Sequence, residues 1–443
     1  MVCGDGAQAN LLNHHGCKLQ MSSVPTSRTD RSGDHTWFFF LLTSLLVSSQ
    51  NTLALVGLPL LAEDRGYTST ELGILLAAFP LAQALTSLTA GPFSDWVNRR
   101  NLILAGQAVF ATSLILHPWA SNFGVLVGLR LTAGVGAGVL VSLPLPYLTD
   151  HYEKSDHQPV ISRSASGHAL GYALGVPFGI LFLESVTFIQ LAGACGLLAV
   201  LLLTFKIFRL PVASLSLPRP PTTSRKEARN AAPHVANFRR ILALSALGFC
   251  GTSLFYVTAN FWFVHGLGHS PREIAGIYLV AGLLQFFVLV VIVPRFGAFN
   301  PWCMTAISFG GNSLMLILWT VFLPYSTATF GLFGLAAGTL ALRIAPIQYL
   351  ITHSGSSKTK GLRNSLNQGC QSGGRAIGNF VGTSLISTPS IVWLGYGAAL
   401  LLIASLTLIG QRRSTLPESS EFGHKRGIGT HSAKLKMSSK QSS

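Results

Sequence analysis

Twelve stretches of roughly twenty mostly apolar residues follow one another along this chain, and that pattern leaves few folds open. The hydrocarbon core of a bilayer, roughly 30 Å thick, takes about 20 apolar residues of helix to cross. The stretches lie at 37–61, 71–91, 101–119, 123–149, 164–183, 186–208, 240–264, 273–294, 301–323, 327–351, 364–386 and 390–410. Charged residues make up only 10% of the 443 residues, against about 25% in ordinary globular domains. So few charges cannot coat a large soluble surface. The expected fold class is therefore an all-α membrane protein with about twelve transmembrane helices.

The net charge of +16 would by itself admit nucleic acid as a partner. The placement of the charges excludes that reading, because the basic residues sit in tails and short loops beside apolar stretches. With a cytoplasmic N-terminus, only Arg65 and Arg272 fall in outside loops, and the remaining loop cations lie inside. That asymmetry obeys the positive-inside rule and places both termini in the cytoplasm of a plasma membrane, bacterial by expectation. The layout is then a tail at 1–36, a six-helix bundle at 37–209, a Pro- and Arg-containing linker at 210–239, a second bundle at 240–411 and a Ser/Lys-rich tail at 412–443. Residues 1–36 lack the apolar core of a cleaved signal, and Met21 is an alternative start. The six cysteines are scattered without a CxxC pair, so neither a disulfide framework nor a metal site is expected.

The two bundles repeat each other. Gly66 through Glu71 precedes the second span and Gly268 through Glu273 the eighth, at an offset of 202 residues (273 − 71). Gln83 and Gln285 keep that offset, as do Pro144-Leu145-Pro146-Tyr147 and Pro346-Ile347-Gln348-Tyr349. Six spans return the chain to its starting face, so the halves are parallel repeats about an axis normal to the membrane. Two such bundles enclose a central gap that rocking exposes to alternate sides.

Between the second and third spans stands Gly91-Pro92-Phe93-Ser94-Asp95-Trp96-Val97-Asn98-Arg99-Arg100. This loop resembles the Gly-x-x-x-Asp-Arg-x-Gly-Arg-Arg motif of the major facilitator superfamily. Gly91, Asp95, Arg99 and Arg100 match, whereas Trp96 and Asn98 depart from it. The resemblance implies twelve helices and a loop that latches the cytoplasmic side, with Asp95 accepting charge-assisted hydrogen bonds. Arg130 through Gly138 is similar to the family's Arg-x-x-x-Gly-x-Gly stretch, in which the arginine helps proton transfer in proton-coupled relatives. Gly175-Val176-Pro177-Phe178-Gly179 is similar to the antiporter motif of the drug and sugar efflux branch. Together with Gly167 and Gly171 these glycines line one helix face, as Gly374, Gly378 and Gly382 do in the eleventh span, and such faces let helices approach closely.

In the family, spans one, four, seven and ten line the cavity. Their polar members here include Asn51, Arg130, Tyr256, Asn260 and Arg343. An arginine within a span costs about 2.5–3.5 kcal/mol or more if it faces lipid, so these side chains should turn inward. Arg375 is a third intramembrane arginine, while every acid lies near a span end. The cavity should then favour neutral or anionic solutes over cations. No cofactor is expected, with a proton gradient as a candidate driving force, and lipid and a small solute are the expected partners of a monomer. Motifs for hydrolases, metalloproteases and nucleotide binding are absent, so the chain is not read as an enzyme. Two readings stand at this point: a secondary transporter of the efflux type, and a transporter-like membrane protein that senses or assembles.

Overall fold

A computed structural model describes residues 36–94, 97–152, 157–183, 186–211, 232–295, 300–353, 360–386 and 391–410. Asp95, both polar tails and residues 212–231 of the linker lie outside the described residues. The described residues form twelve long helices. In the first half these are α1 (Thr36–Arg65), α2 (Ser69–Phe93), α3 (Arg99–Leu116), α4 (Phe123–Ser142), α5 (His157–Leu183) and α6 (Phe188–Arg209). In the second half they are α7 (Ala232–Phe261), α8 (Pro271–Phe287), α9 (Pro301–Val321), α10 (Ser326–His353), α11 (Lys360–Ser384) and α12 (Ile391–Gly410). Each expected span has its helix. Several helices overrun the apolar stretch that marks them: α7 begins at Ala232, inside the segment read as linker, and α5 begins at His157. Hydropathy marks only the part of a helix that meets hydrocarbon, and the backbone ladder continues beyond it.

The repeat extends to backbone detail. Gly66 and Gly268 take the left-handed φ values of 66° and 65°, which glycine alone adopts without a Cβ penalty. Each is followed by a capping box that satisfies donors at the start of the next helix. Thr68 N donates to Glu71 Oε2 at 2.8 Å while Glu71 N donates to Thr68 Oγ1 at 3.2 Å. Ser270 N donates to Glu273 Oε2 at 2.8 Å and Glu273 N to Ser270 Oγ at 3.4 Å.

Helix packing follows the same two-fold relation. The pairs α1·α5, α2·α4, α3·α4 and α3·α6 recur as α7·α11, α8·α10, α9·α10 and α9·α12. The halves meet through α2·α11 and α5·α8, two contacts that the two-fold exchanges. Glycines make the closest of these approaches. A Cβ on Gly171 would stand 2.5 Å from the Leu45 carbonyl oxygen and 2.7 Å from Ser48 Cβ of α1, and one on Gly175 would stand 2.5 Å from Thr52 Oγ1. Gly167 and Gly179 meet Leu41 and Leu53 of the same helix, and Pro177, also buried, lies on the other side of α5. On α11, Gly374, Gly378 and Gly382 meet Ala246, Cys250 and Leu254 of α7. Backbone cannot yield as a flexible side chain does, so Gly374→Ala should lower stability by about 1–3 kcal/mol through overpacking. Gly276→Ala, with nothing within 4 Å of the new Cβ, should leave it unchanged. Thermal melts of the two purified variants in detergent check the contrast.

Eight of the helices are long and apolar enough to cross a membrane by length and composition. Their outward faces carry large apolar side chains such as Leu197, Phe205 and Phe208 on α6 and Leu314 on α9. α11 is built the other way round. Asn364, Ser365, Asn367, Ser372, Asn379 and Thr383 are all buried, whereas Ile377 and Phe380 are exposed. A helix with a polar interior face and an apolar outer face suits lipid outside and a polar seam within. That face of α11 meets α2 across the boundary between the halves.

Candidate functional site

Both halves contribute to a small cavity at mid-depth. Thr52 of α1 and Tyr172 of α5 face Tyr256 of α7, Tyr278 and Gln285 of α8 and Phe333 of α10 around a space of ≈ 20 Å³. Phe333 is the hub of the aromatic wall. Its ring centroid lies 5.4 Å from Tyr256, 5.1 Å from Tyr278, 5.7 Å from Phe255 and 5.4 Å from Phe263. Tyr256 and Tyr278 stack at 6.3 Å. Asn260 fixes this wall to the other half: its Nδ2 donates to the Leu55 carbonyl of α1 at 3.1 Å, and its Oδ1 accepts from the Tyr278 hydroxyl at 2.8 Å. A volume that size admits about one water, so the halves are drawn together around the site.

Polar contacts tie the halves along the seam on both sides of the cavity. Towards the face carrying Gly66 and Gly268, Asn379 Nδ2 donates to the Leu76 carbonyl at 3.2 Å, and the exposed Glu63 meets His265 Nε2 at 3.3 Å. Near the middle, Arg375 Nη2 donates to Ser372 Oγ at 3.4 Å and Ser372 donates to Gln83 Oε1 at 3.1 Å. Towards the face carrying the Gly91 loop, Asn364 Nδ2 donates to the Ser142 carbonyl at 3.3 Å, and a Cβ on Gly91 would lie 2.6 Å from Ser365 Oγ.

The three intramembrane arginines are all turned inward, but they do different things. Arg130 is 1% exposed, its Nε donates to the Leu75 carbonyl at 3.4 Å and its guanidinium carbon lies 5.0 Å from the Phe79 ring centroid. Both partners belong to α2. The α2·α4 contact closes at Gly134 and Gly138, which seats this arginine within its own half rather than in the cavity wall. Arg343 is also 1% exposed, and its Nη2 donates to the Gly248 carbonyl at 2.9 Å and to Thr252 Oγ1 at 2.6 Å. Thr252 is one helical turn from Tyr256 of the cavity wall. The guanidinium carbons of Arg343 and Arg375 lie 5.8 Å and 5.1 Å from the centroid of one ring, Phe249. Two cations within that combined reach repel by about 1.5 kcal/mol or more even at an effective dielectric of about 20.

Of the remaining expected residues, Tyr256 lines the cavity, Asn260 bridges the halves beside it, and Asn51 is half-buried next to Thr52. In the motif loop, Arg99 pairs with Asp150 at the end of the short helix that follows α4. Arg100 Nε donates to the Leu210 carbonyl at 2.8 Å and its Nη2 to the Ile207 carbonyl at 2.5 Å, at the end of α6. These bonds brace the first half, while Gly91 makes the close approach to α11. Phe263, just past the end of α7, is fully buried against Phe330 and Phe333. Sequence reasoning passed over Tyr172, Tyr278 and Phe333. The 202-residue repeat was the signal that pointed to α8, through Gln285.

This arrangement of two six-helix repeats around a mid-membrane cavity defines a membrane transporter. The chain belongs to the Major Facilitator Superfamily, whose profile matches residues 40–353. It is 22% identical to the MFS-type transporter YbcL of Bacillus subtilis (strain 168) over 396 residues, 85% of this chain and 97% of that protein. It is 23% identical to the quinolone resistance protein NorA of Staphylococcus aureus (strain MRSA252) over 377 residues, 82% and 93% of the two chains. Among solved structures it is similar to the human organic anion transporter MFSD10, with a TM-score of 0.64 at 17% identity, covering 84% of this chain and 99% of that one. A bacterial homologue of the human lysosomal transporter Spinster, inward-facing and unoccupied, gives a TM-score of 0.60 at 15% identity, covering 84% and 93%.

Proposed function

We propose that this transporter exports a neutral or anionic aromatic solute across a bacterial plasma membrane, as a monomer with both termini in the cytoplasm. The observation that carries the proposal is the polarity of α11, whose buried Asn and Ser side chains run the length of the seam between the halves. A polar seam between two apolar bundles can part at one end while the other stays joined, which is the requirement for alternating access. The aromatic wall suits a planar solute, and the intramembrane charge is cationic, with the described acids held at helix ends. Export is supported by the Gly175–Gly179 sequence and by the similarity to NorA, named for quinolone resistance. A proton gradient is the proposed driving force, with Glu63 and His265 at the outer mouth as the coupling groups.

The test is uptake of a fluorescent quinolone into everted vesicles energised with an imposed pH gradient, beside vesicles without the protein. Gradient-dependent uptake that falls in Asp95→Asn and persists after substitution of an exposed tail residue is expected. Equal uptake with and without the protein would remove export of such solutes, and unaltered uptake in Asp95→Asn would remove the latch assigned to the motif loop.

A further inference from the structure

We infer that Arg343 and Arg375, gathered around Phe249, form an anion subsite next to the aromatic cavity, so that the solute is an aromatic acid carrying one negative group. This rests on the transport reading of the same cavity and names its substrate class. The argument begins with donors and acceptors. Arg343 Nη1, Arg375 Nε, Asn367 Nδ2 and Gln50 Nε2 are buried without a hydrogen-bond partner. Of these, Arg343 Nη1 and Arg375 Nε belong to guanidinium groups that lie 5.8 Å and 5.1 Å from the Phe249 ring centroid, which gathers two unpaired cationic donors in one region. The described acids Glu63, Asp64, Glu71, Asp150 and Glu273 all sit at helix ends, and the ion pairs found among them join other partners. Neither arginine has one of these carboxylates beside it, and a buried charge without a counter-ion is costly.

Geometry supplies the rest. Arg343 is held to α7 by Gly248 and Thr252, and Tyr256 stands one turn further along the same face. The Arg343 guanidinium carbon also lies 4.7 Å from the Phe309 ring centroid, a cation–π contact that helps hold the group in place while its Nη1 stays unpaired. Arg375 reaches the same spot from α11, the helix that forms the seam with the first half. An anion bound there would join donors from α10 and α11 and relieve the repulsion between the two guanidinium groups. A planar ring attached to it would extend towards Tyr256, Tyr278 and Phe333. A carboxylate or sulfonate on an aromatic ring satisfies both ends; an inorganic anion satisfies only one.

The probes are naphthalene-2-sulfonate, its neutral isostere naphthalene-2-sulfonamide, and methanesulfonate, each titrated by calorimetry against the full chain in detergent. The sulfonate should bind more tightly than the other two. Arg343→Gln and Arg375→Gln should each weaken the sulfonate by about tenfold, the effect of losing a charge-assisted hydrogen bond, and leave the sulfonamide within about twofold. Arg343→Lys should recover part of the loss, and melting curves separate misfolding from lost recognition. Equal binding of sulfonate and sulfonamide, equal losses for both in the glutamine variants, or no sulfonate binding would overturn the subsite. Methanesulfonate binding as well as the naphthyl compound would assign the arginines to small inorganic-type anions and overturn the aromatic part. Failure of the transport reading is distinguished by absence of flux for every solute in vesicles while the binding pattern persists.

Discussion

Cross-linking α2 to α11 at either end of the seam is expected to stop transport, and reduction to restore it. A Cβ on Gly73 would lie 2.9 Å from Ser384 Oγ, and one on Gly91 would lie 2.8 Å from Ser365 Cβ. The first is a distance to a hydroxyl oxygen and the second is shorter than the roughly 3.5–4.5 Å between the Cβ atoms of a disulfide, so both pairs are close enough to bridge after a small outward shift of the helices. The two sites are about 27 Å apart along α2, near opposite faces of the membrane. Alternating access opens one end while the other is joined, so a covalent tie at either end removes one half of the cycle. The measurement is solute flux by Gly73→Cys/Ser384→Cys and Gly91→Cys/Ser365→Cys in a background without the native cysteines, before and after reductant. Each single-cysteine chain serves as its control. Full flux through a quantitatively cross-linked pair would mean that α2 and α11 do not separate during turnover, and the seam would lose its role.

Truncating the aromatic hub should have the largest effect on stability. Phe333 is fully buried and touches four other rings, so Phe333→Ala leaves a void that backbone-anchored neighbours cannot fill. Loss of a buried phenylalanine side chain costs about 3–5 kcal/mol, of which the cavity term survives in a lipid environment. Leu400→Ala on α12, 64% exposed, exchanges one lipid contact for another and should change stability by no more than about 0.5 kcal/mol. Thermal unfolding in detergent distinguishes them. A Phe333→Ala chain melting with the parent would show that the ring cluster is loosely packed and that the cavity wall is not pre-formed.

Much of the fold was legible in the chain because membrane insertion imposes one-dimensional rules. Length and hydropathy marked twelve candidate spans, the eleventh at 364–386 among them, and its Gly374–Gly382 stretch matches Gly167–Gly175 of α5. Even the left-handed Gly66 and Gly268 were visible as paired positions before their φ values were known. The candidate site was less legible. Arg130 and Arg343 look alike as intramembrane arginines, yet one braces α2 while the other stands a turn from the cavity.

The sequence by itself therefore determined the number of crossings, the internal duplication and the motif loop, since each is written in the order of residues along a single helix or its repeat. Tertiary structure alone decided that Tyr172, Tyr278 and Phe333 line one cavity, that α11 turns its polar face to the seam, and that Arg343 and Arg375 flank one phenylalanine. The physical reason is that spacing within a helix specifies which residues share a face. Which neighbour that face meets depends on how twelve helices pack, and here glycine contacts set that packing between helices far apart in the chain.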